Sequence, residues 1–443
     1  MDTKIGYCYG MPCAWADGGA AIIDYFAVGD MKINKTIIHG IIIPFSILMI
    51  WAGMLWSRAA LSIGTMIFVG VTLVDGPLKA KWIFFKAHRE LRMISLLFAI
   101  PLFTGLWSED RSAWQNIMIG KLPLLVFPFC AASLLDIPAE KLRHLLRVMI
   151  LLALVACLPS VIAYLQHRDL SNASYLKASL LHVPMDDDHV RFAWLLVLVH
   201  LFMLHVLLSS GKDLKRWERG SAILIIIFLT FYFHLLSSRT GLLGFYVVNS
   251  IAILIHARRK MWVVWLGVLI FCAILAWLLM PTFQNRMRFM RWDYQNYSRS
   301  GYVEGLSDAP RMVSLRGGIS ILHSHPLIGT GFGDLAHDIE AWYGGNAPYL
   351  KGYERLLPSN EFLLHAVAGG VILGILACTC IIYPLFNCRR KNKLLWVGFH
   401  LVAILGFLYE VGLETQYGVM LYGFFGCWLA AGRASHSSIQ AIH

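Results

Sequence analysis

Charge is what this sequence has least of. Only 14% of its 443 residues are Asp, Glu, Lys or Arg, against about 25% in a soluble chain. With 58% hydrophobic residues and a mean hydropathy of +0.63, that shortage excludes an ordinary soluble globule. Alternation of polar and apolar residues is missing too. Runs such as SAILIIIFLTFYFHLL (221–236) are apolar on every side, which excludes a barrel of short alternating strands. The nine cysteines lack the spacing of a metal site or disulfide framework. Cys130, Cys157, Cys272, Cys378, Cys380 and Cys427 lie inside apolar runs as small hydrophobes. Cys8 and Cys13 flank YGMP and are close enough to pair, but two cysteines define no framework. The first twenty residues have no basic start followed by a continuous apolar core, so they do not read as a signal peptide. The class left is an all-α polytopic membrane protein. In that setting the net charge of +12 reports basic cytoplasmic loops and anionic partners rather than nucleic acid.

Twelve segments are long enough, or nearly so, to cross about 30 Å of hydrocarbon. They are 37–56, 60–78, 92–107, 114–136, 143–165, 190–210, 220–237, 240–257, 261–281, 359–386, 394–412 and 415–432. The basic segments 211–220, 256–260 and 387–393 are separated by pairs of spans and so share one face, the cytoplasmic one. Counting back puts the basic segments 79–92 and 138–144 on the same side. The expected organisation is a cytoplasmic segment 1–36, spans one to nine over 37–281, and a large periplasmic loop with short helices over 282–358. Spans ten to twelve then cover 359–432, before a cytoplasmic tail at 433–443.

The outer face then carries the chemistry. Arg239 sits in the short turn SSRT (237–240) between two apolar runs, Arg191 opens a span, and Arg311 lies in the large loop. A guanidinium near a span end can snorkel to the interface. The functional alternative is a shared anion site, because guanidinium binds phosphate oxygens in bidentate fashion. Arg239 favours the second reading, since a tight turn needs no cation; Ser237, Ser238 and the turn amides can share in anion binding. His337, in GDLAHDIEAWYGG, is a candidate base toward a hydroxyl, with Asp338 and Glu340 as neighbours. The glycine-rich HPLIGTGFGD (325–334) does not match GxxxxGKS and reads as a helix-breaking turn whose amides can also meet a phosphate. Asp186, Asp187, Asp188 and His189 form the most acidic patch, either cation ligands or a solvated cap. The loop aromatics Trp292, Tyr294, Tyr297, Tyr302, Trp342, Tyr343, Tyr349 and Tyr353 suit sugar stacking, an interfacial belt or the loop's own core.

The order SSRTGLLGF, APRMVSLRGGISILHSHPLIGTGFGD and PSNEFLLHAVAGGVILG, from 237 to 374, resembles the lipopolysaccharide O-antigen ligases and the related polymerases. Many relatives carry His-Asn where this chain has Ser359-Asn360, so the base moves to His337, with His323, His325 and His365 as competitors. The resemblance implies a fold like the C-type glycosyltransferases. It implies transfer of O-antigen from undecaprenyl diphosphate to the lipid A–core oligosaccharide at the periplasmic face of the bacterial inner membrane. Inversion at the anomeric carbon is expected, with no metal and no cofactor. Arg191, Arg239 and Arg311 would hold the diphosphate, His337 would act as base, and Ser238, Asp338 and Asn360 would support them. Competing readings are a polymerase, a protein O-oligosaccharyltransferase, and a transporter or lipid flippase. No internal repeat favours transport, and the notable charges collect on one face.

Overall fold

A computed structural model describes residues 35–177, 179–209, 214–257, 261–299, 305–387 and 392–432. Cys8, Cys13, most of the N-terminal segment and the 433–443 tail lie outside those residues. Among the described residues every regular element is a helix. The first helices are α1 (Lys35–Trp56), α2 (Arg58–Val74), α3 (Leu78–Ala87), α4 (Arg89–Thr104), α5 (Arg111–Leu134), α6 (Ala139–Gln166) and α7 (Arg168–Ser174). Next come α8 (His189–Ser209), α9 (Arg216–Leu236), α10 (Arg239–His256) and α11 (Trp262–Leu279). The large loop contains α12 (Pro281–Arg299), α13 (Ala309–Ser324) and α14 (Leu335–Asn346). The chain closes with α15 (Glu361–Phe386), α16 (Lys393–Tyr409) and α17 (Gln416–Ala431).

A helix coincides with each of the twelve apolar segments, but eight are long and apolar enough to cross a membrane, or nine if the bent pair α2–α3 is one span. The shortfall is one of length. Helices α4 and α17 have 16 residues each, which spans only about 24 Å. The segment after 78, expected to be a basic loop, instead forms α3, turned 106° from α2. The turn falls at Asp75-Gly76-Pro77, where Asp75 accepts a hydrogen bond from buried Lys81 and stands 3.7 Å from His39. Helix α11 is apolar all round, yet only 6% of its most apolar stretch is buried in the protein. Such a helix must find its apolar surroundings in lipid.

Two ends of the bundle are distinct. At one, Arg147 pairs with Glu218 at 2.8 Å, and Arg89 donates to Tyr383 at 3.3 Å, both within the basic segments or next to them. The other end gathers the loops assigned to the outer face. There the Met185 amide donates to Leu55 O, Asn285 donates to Asn172 O, and Asp334 accepts from the amides of Glu109 and Asp110.

The glycine-rich segment after α13 is a docking turn. Helix α15 is broken at Gly370, whose φ is +73°, and the turn fits into the break. Thr330 N donates to Val367 O, Gly331 N to Ala368 O, and Val371 N to Pro326 O. The next amides, of Phe332 and Gly333, donate to the hydroxyls of Thr104 and Ser108. The amides of 330–333 are therefore engaged within the protein, which removes the expectation that they meet a phosphate. The helix-breaking role stands.

Candidate functional site

The three arginines singled out from sequence come from three different elements and reach three consecutive residues. Arg239, first residue of α10, donates from Nη1 to the hydroxyl of Tyr409 at 3.0 Å. Arg311, in the first turn of α13, donates from Nη2 to Glu410 Oε2 at 2.7 Å. Arg191, in the first turn of α8, donates from Nη2 to the carbonyl of Val411. Each arginine lies in the first turn of its helix, beside the loop it reaches.

The same segment, YEVGLET, is held from its other side. Buried Glu361 at the start of α15 accepts from the amides of Gly412 (2.7 Å) and Leu413 (3.0 Å). Buried Lys121 of α5 pairs with Glu414, and Thr415 caps α17 by accepting from Gly418 N at 3.2 Å. Asn360 caps α15 by accepting from Leu363 N at 2.9 Å and donates to Leu408 O at 3.0 Å. Tyr409, which ends α16, and the five residues after it are thus held by side chains of other helices in an unwound connection, whose sixth residue, Thr415, caps α17.

Arg239 is not the solitary cation its sequence neighbours suggest. Its Nη1 pairs with Asp308, and its Nη2 lies 3.3 Å from Asp293 Oδ2. Asp293 is wholly buried, and the same oxygen accepts from Ser307 N, Ser307 Oγ and Asp308 N, so it also fixes the approach to α13. Tyr409 donates to Asp308 Oδ1 at 3.0 Å, and its ring lies 4.9 Å under the Arg311 guanidinium. Burial alone would lower the pKa of Arg311, but Glu410 and Tyr409 outweigh it and hold the group above its ordinary value. The Nε atoms of Arg239 and Arg311 are buried without a partner, so each guanidinium retains an unused donor.

The other sequence candidates divide. Ser237, with φ +47°, uses its hydroxyl on His234 O, while Ser238 faces Thr240 at 3.3 Å; both are buried in the turn. Ser359 is buried against Ser314, their hydroxyls 3.1 Å apart. His337 is 85% exposed and lies 3.6 Å from Asp338. Gly317 faces Ile339 and Trp342, and Tyr343 lies beside Ser314, so α13 and α14 run antiparallel. That register puts His337 on the order of 10 Å further along α13 than Arg311. The structure does not join it to the arginines. Glu340 pairs with Arg355, and His365 is buried 3.2 Å from Glu361.

The acidic patch is dispersed rather than convergent. Asp186 holds Arg58 at 2.6 Å and Tyr417 at 2.9 Å, Asp187 holds His182 and Val183 N, and Asp188 caps α8. Burial raises the Asp187 pKa, but the Val183 amide and His182 prevail and leave it lowered. Met185, Asp186 and Asp187 all have φ near +60°, a left-handed turn that sends the three carboxylates apart. Among the described residues no group of three His, Cys, Asp or Glu is placed to hold a metal ion. The loop aromatics divide as well: Tyr343 is core and donates to Leu356 O, whereas Trp292, Tyr294, Tyr349 and Tyr353 are exposed.

Sequence reasoning missed Asp293, Asp308, Tyr409 and Glu410. Their only sequence signal is that Arg239 and Arg311 need counter-charges; the partners stand 54 to 170 positions away. Beside the site, a largely apolar groove of about 1000 Å³ runs between α8, α9, α10 and α11. Its lining extends from Leu208 and His256 to His234, Leu279 and Met280, close to the Arg239 turn.

Residues 222–378 match the family model described as O-antigen ligase. No curated protein matches the chain. The matched region contains Arg239, Arg311, the docking turn and the break in α15, whereas Arg191 and the Tyr409–Thr415 connection lie outside it. Through residues 222–378, about a third of its length, this multi-pass helical chain is similar to the O-antigen ligase family.

Proposed function

We propose that this protein transfers O-antigen glycan from undecaprenyl diphosphate to the lipid A–core oligosaccharide, at the periplasmic face of the bacterial inner membrane, without a metal. The observation that carries the reading is the convergence of Arg191, Arg239 and Arg311 on Tyr409, Glu410 and Val411. An acceptor hydroxyl attacks the anomeric carbon from the face opposite the diphosphate, and the carbon–oxygen bond to the diphosphate breaks. The electron pair stays on the diphosphate, and the configuration inverts. Fixed guanidinium groups stabilise the charge that develops there, the task a metal ion performs in other phosphate sites. The apolar grooves that run along α11, one toward α8 and one toward α12, suit an apolar polyprenyl tail. His337, exposed on α14, receives the acceptor proton in this reading, and Asp338 and Asn360 support it and the Leu408 backbone.

The test is an in vitro transfer with purified full-length protein, undecaprenyl-diphosphate-linked glycan and rough lipopolysaccharide, with chelator present. A glycan ladder on lipopolysaccharide is expected, with a rate at least about tenfold lower in Arg239→Ala, a loss near 1.4 kcal/mol of transition-state stabilisation. Longer lipid-linked chains with unmodified lipopolysaccharide would instead identify a polymerase. Uptake or flipping without a new glycosidic bond would move transport to the front.

His337→Ala is expected to lower the transfer rate by roughly 100-fold, the scale of general-base catalysis, with donor binding unchanged. A rate within twofold of wild type would remove the base role from His337.

A further inference from the structure

Four guanidinium groups surround the outer end of α9 and α10, and three of them have carboxylate partners. Arg191 has Asp188, Arg239 has Asp293 and Asp308, and Arg311 has Glu410. The fourth, Arg286 of α12, has none among the described residues. It is only 6% exposed, and neither Nε nor Nη1 has a hydrogen-bond partner. The Phe289 ring stands 5.2 Å away, and Tyr175, Tyr409 and Asp308 are near enough to favour its charge without bonding to it.

Nearby acceptors are already taken. The carbonyls of Leu235 and Leu236, at the end of α9, accept from the Tyr175 hydroxyl at 3.2 and 3.1 Å. The Phe233 and His234 carbonyls accept from Ser237. Asp293, two turns further along α12, serves Arg239 and the approach to α13. Burial lowers the Arg286 pKa to about 10, with the neighbouring positive charge of Arg239 adding to the effect. Protonation is thus disfavoured in the folded protein relative to water, and an arriving anion would relieve this.

Helix α12 also explains what the anion belongs to. Phe283, one turn before Arg286, lines an apolar groove beside α11 with Trp277, Leu266 and Tyr246, and its ring stands 5.5 Å from His234. An unpaired cation therefore lies one turn beyond an apolar groove, an arrangement complementary to an amphiphile with a hydrocarbon tail and an anionic head.

We propose that Arg286 is a phosphate-binding side chain of the donor site, kept without an ion-pair partner of its own so that a polyprenyl diphosphate supplies one; this rests on the donor class given above. Arg239, close enough for its charge to act on Arg286, borders the same site. A buried charge with a structural role would carry a built-in partner. One reserved for a ligand makes the empty site less stable than an apolar side chain would.

The experiment uses full-length protein in phosphatidylcholine nanodiscs, as wild type, Arg286→Met and Arg286→Lys. Binding of undecaprenyl diphosphate, undecaprenol and inorganic pyrophosphate is measured, together with the ligand-free melting temperature. Undecaprenyl diphosphate is expected to bind Arg286→Met at least tenfold more weakly, with Arg286→Lys intermediate and undecaprenol unaffected. The ligand-free melting temperature of Arg286→Met should equal or exceed that of wild type. Pyrophosphate binding with the same Arg286 dependence and no gain from the tail would overturn the lipid part of the assignment. Undiminished binding of undecaprenyl diphosphate by Arg286→Met, or a clear fall in its melting temperature, would overturn the assignment as a whole. A wild type that does not distinguish undecaprenyl diphosphate from undecaprenol would overturn the donor reading itself, and Arg286 with it.

Discussion

Gly370→Ala is expected to leave almost no folded protein. Gly370 has φ +73° and ψ 175°, a backbone region that is essentially reserved for glycine. A Cβ there would stand 2.0 Å from Leu327 O and 2.3 Å from Leu327 C, both backbone atoms of the docked turn. No rotamer change relieves a backbone clash, so either the turn leaves the break in α15 or the helix straightens. Either change also frees the Val367 and Ala368 carbonyls from Thr330 and Gly331. Strain and lost bonds together cost about 4 kcal/mol or more, the range in which single substitutions unfold domains. Gly344→Ala and Gly345→Ala serve as controls, because nothing stands within 4 Å of a Cβ at either position. In helix α14 each should be neutral or stabilising by up to about 1 kcal/mol. Monodispersity and melting temperature in detergent check all three, and a Gly370→Ala protein that melts like wild type would defeat the account.

The second large effect is expected from Glu361→Ala. Its carboxylate lies wholly inside the protein and is the acceptor for two successive amides, Gly412 and Leu413. Removing it leaves both amides without an acceptor, at about 1–3 kcal/mol each. The loss reaches the arginines through one backbone segment, since Tyr409, Glu410 and Val411 immediately precede Gly412. Both melting temperature and glycan transfer should therefore fall, the transfer more than about tenfold even at temperatures where the protein remains folded. Glu361→Gln retains a carbonyl acceptor and should keep most of the stability. Normal transfer by Glu361→Ala would show that the connection needs no anchor from α15.

Much of the fold was legible because apolar runs in a charge-poor chain have few uses, and every run did form a helix. The span count was less legible, because hydropathy does not register where a chain bends. At Asp75-Gly76-Pro77 the turn signal was present, but whether the next ten residues would be loop or helix depended on Lys81 reaching back to Asp75. The arginines were legible because a cation at a span end needs a reason. Their counter-charges were not, since no local pattern links Arg239 to Asp293 or Asp308. Arg286 was hidden in a basic stretch that reads as solvated. Its signal was spacing: residues 286, 289 and 293 are buried while 288 and 291 are exposed, the one-sided pattern of a helix laid against a surface.

The connection between α16 and α17 has a consequence for biosynthesis. Arg191 is made 220 residues before Val411, the residue whose carbonyl it finally meets. At roughly 5–20 residues per second the ribosome needs about 10–45 s to cover that interval. Through that time the guanidinium at the head of α8 has no partner from the closing loop and must stay in water or at the interface. Arg239 and Arg311 wait in turn for Tyr409 and Glu410. The cluster is therefore completed only when the last pair of apolar helices inserts, so a chain truncated before residue 409 would carry Arg191, Arg239 and Arg311 and still have no assembled site.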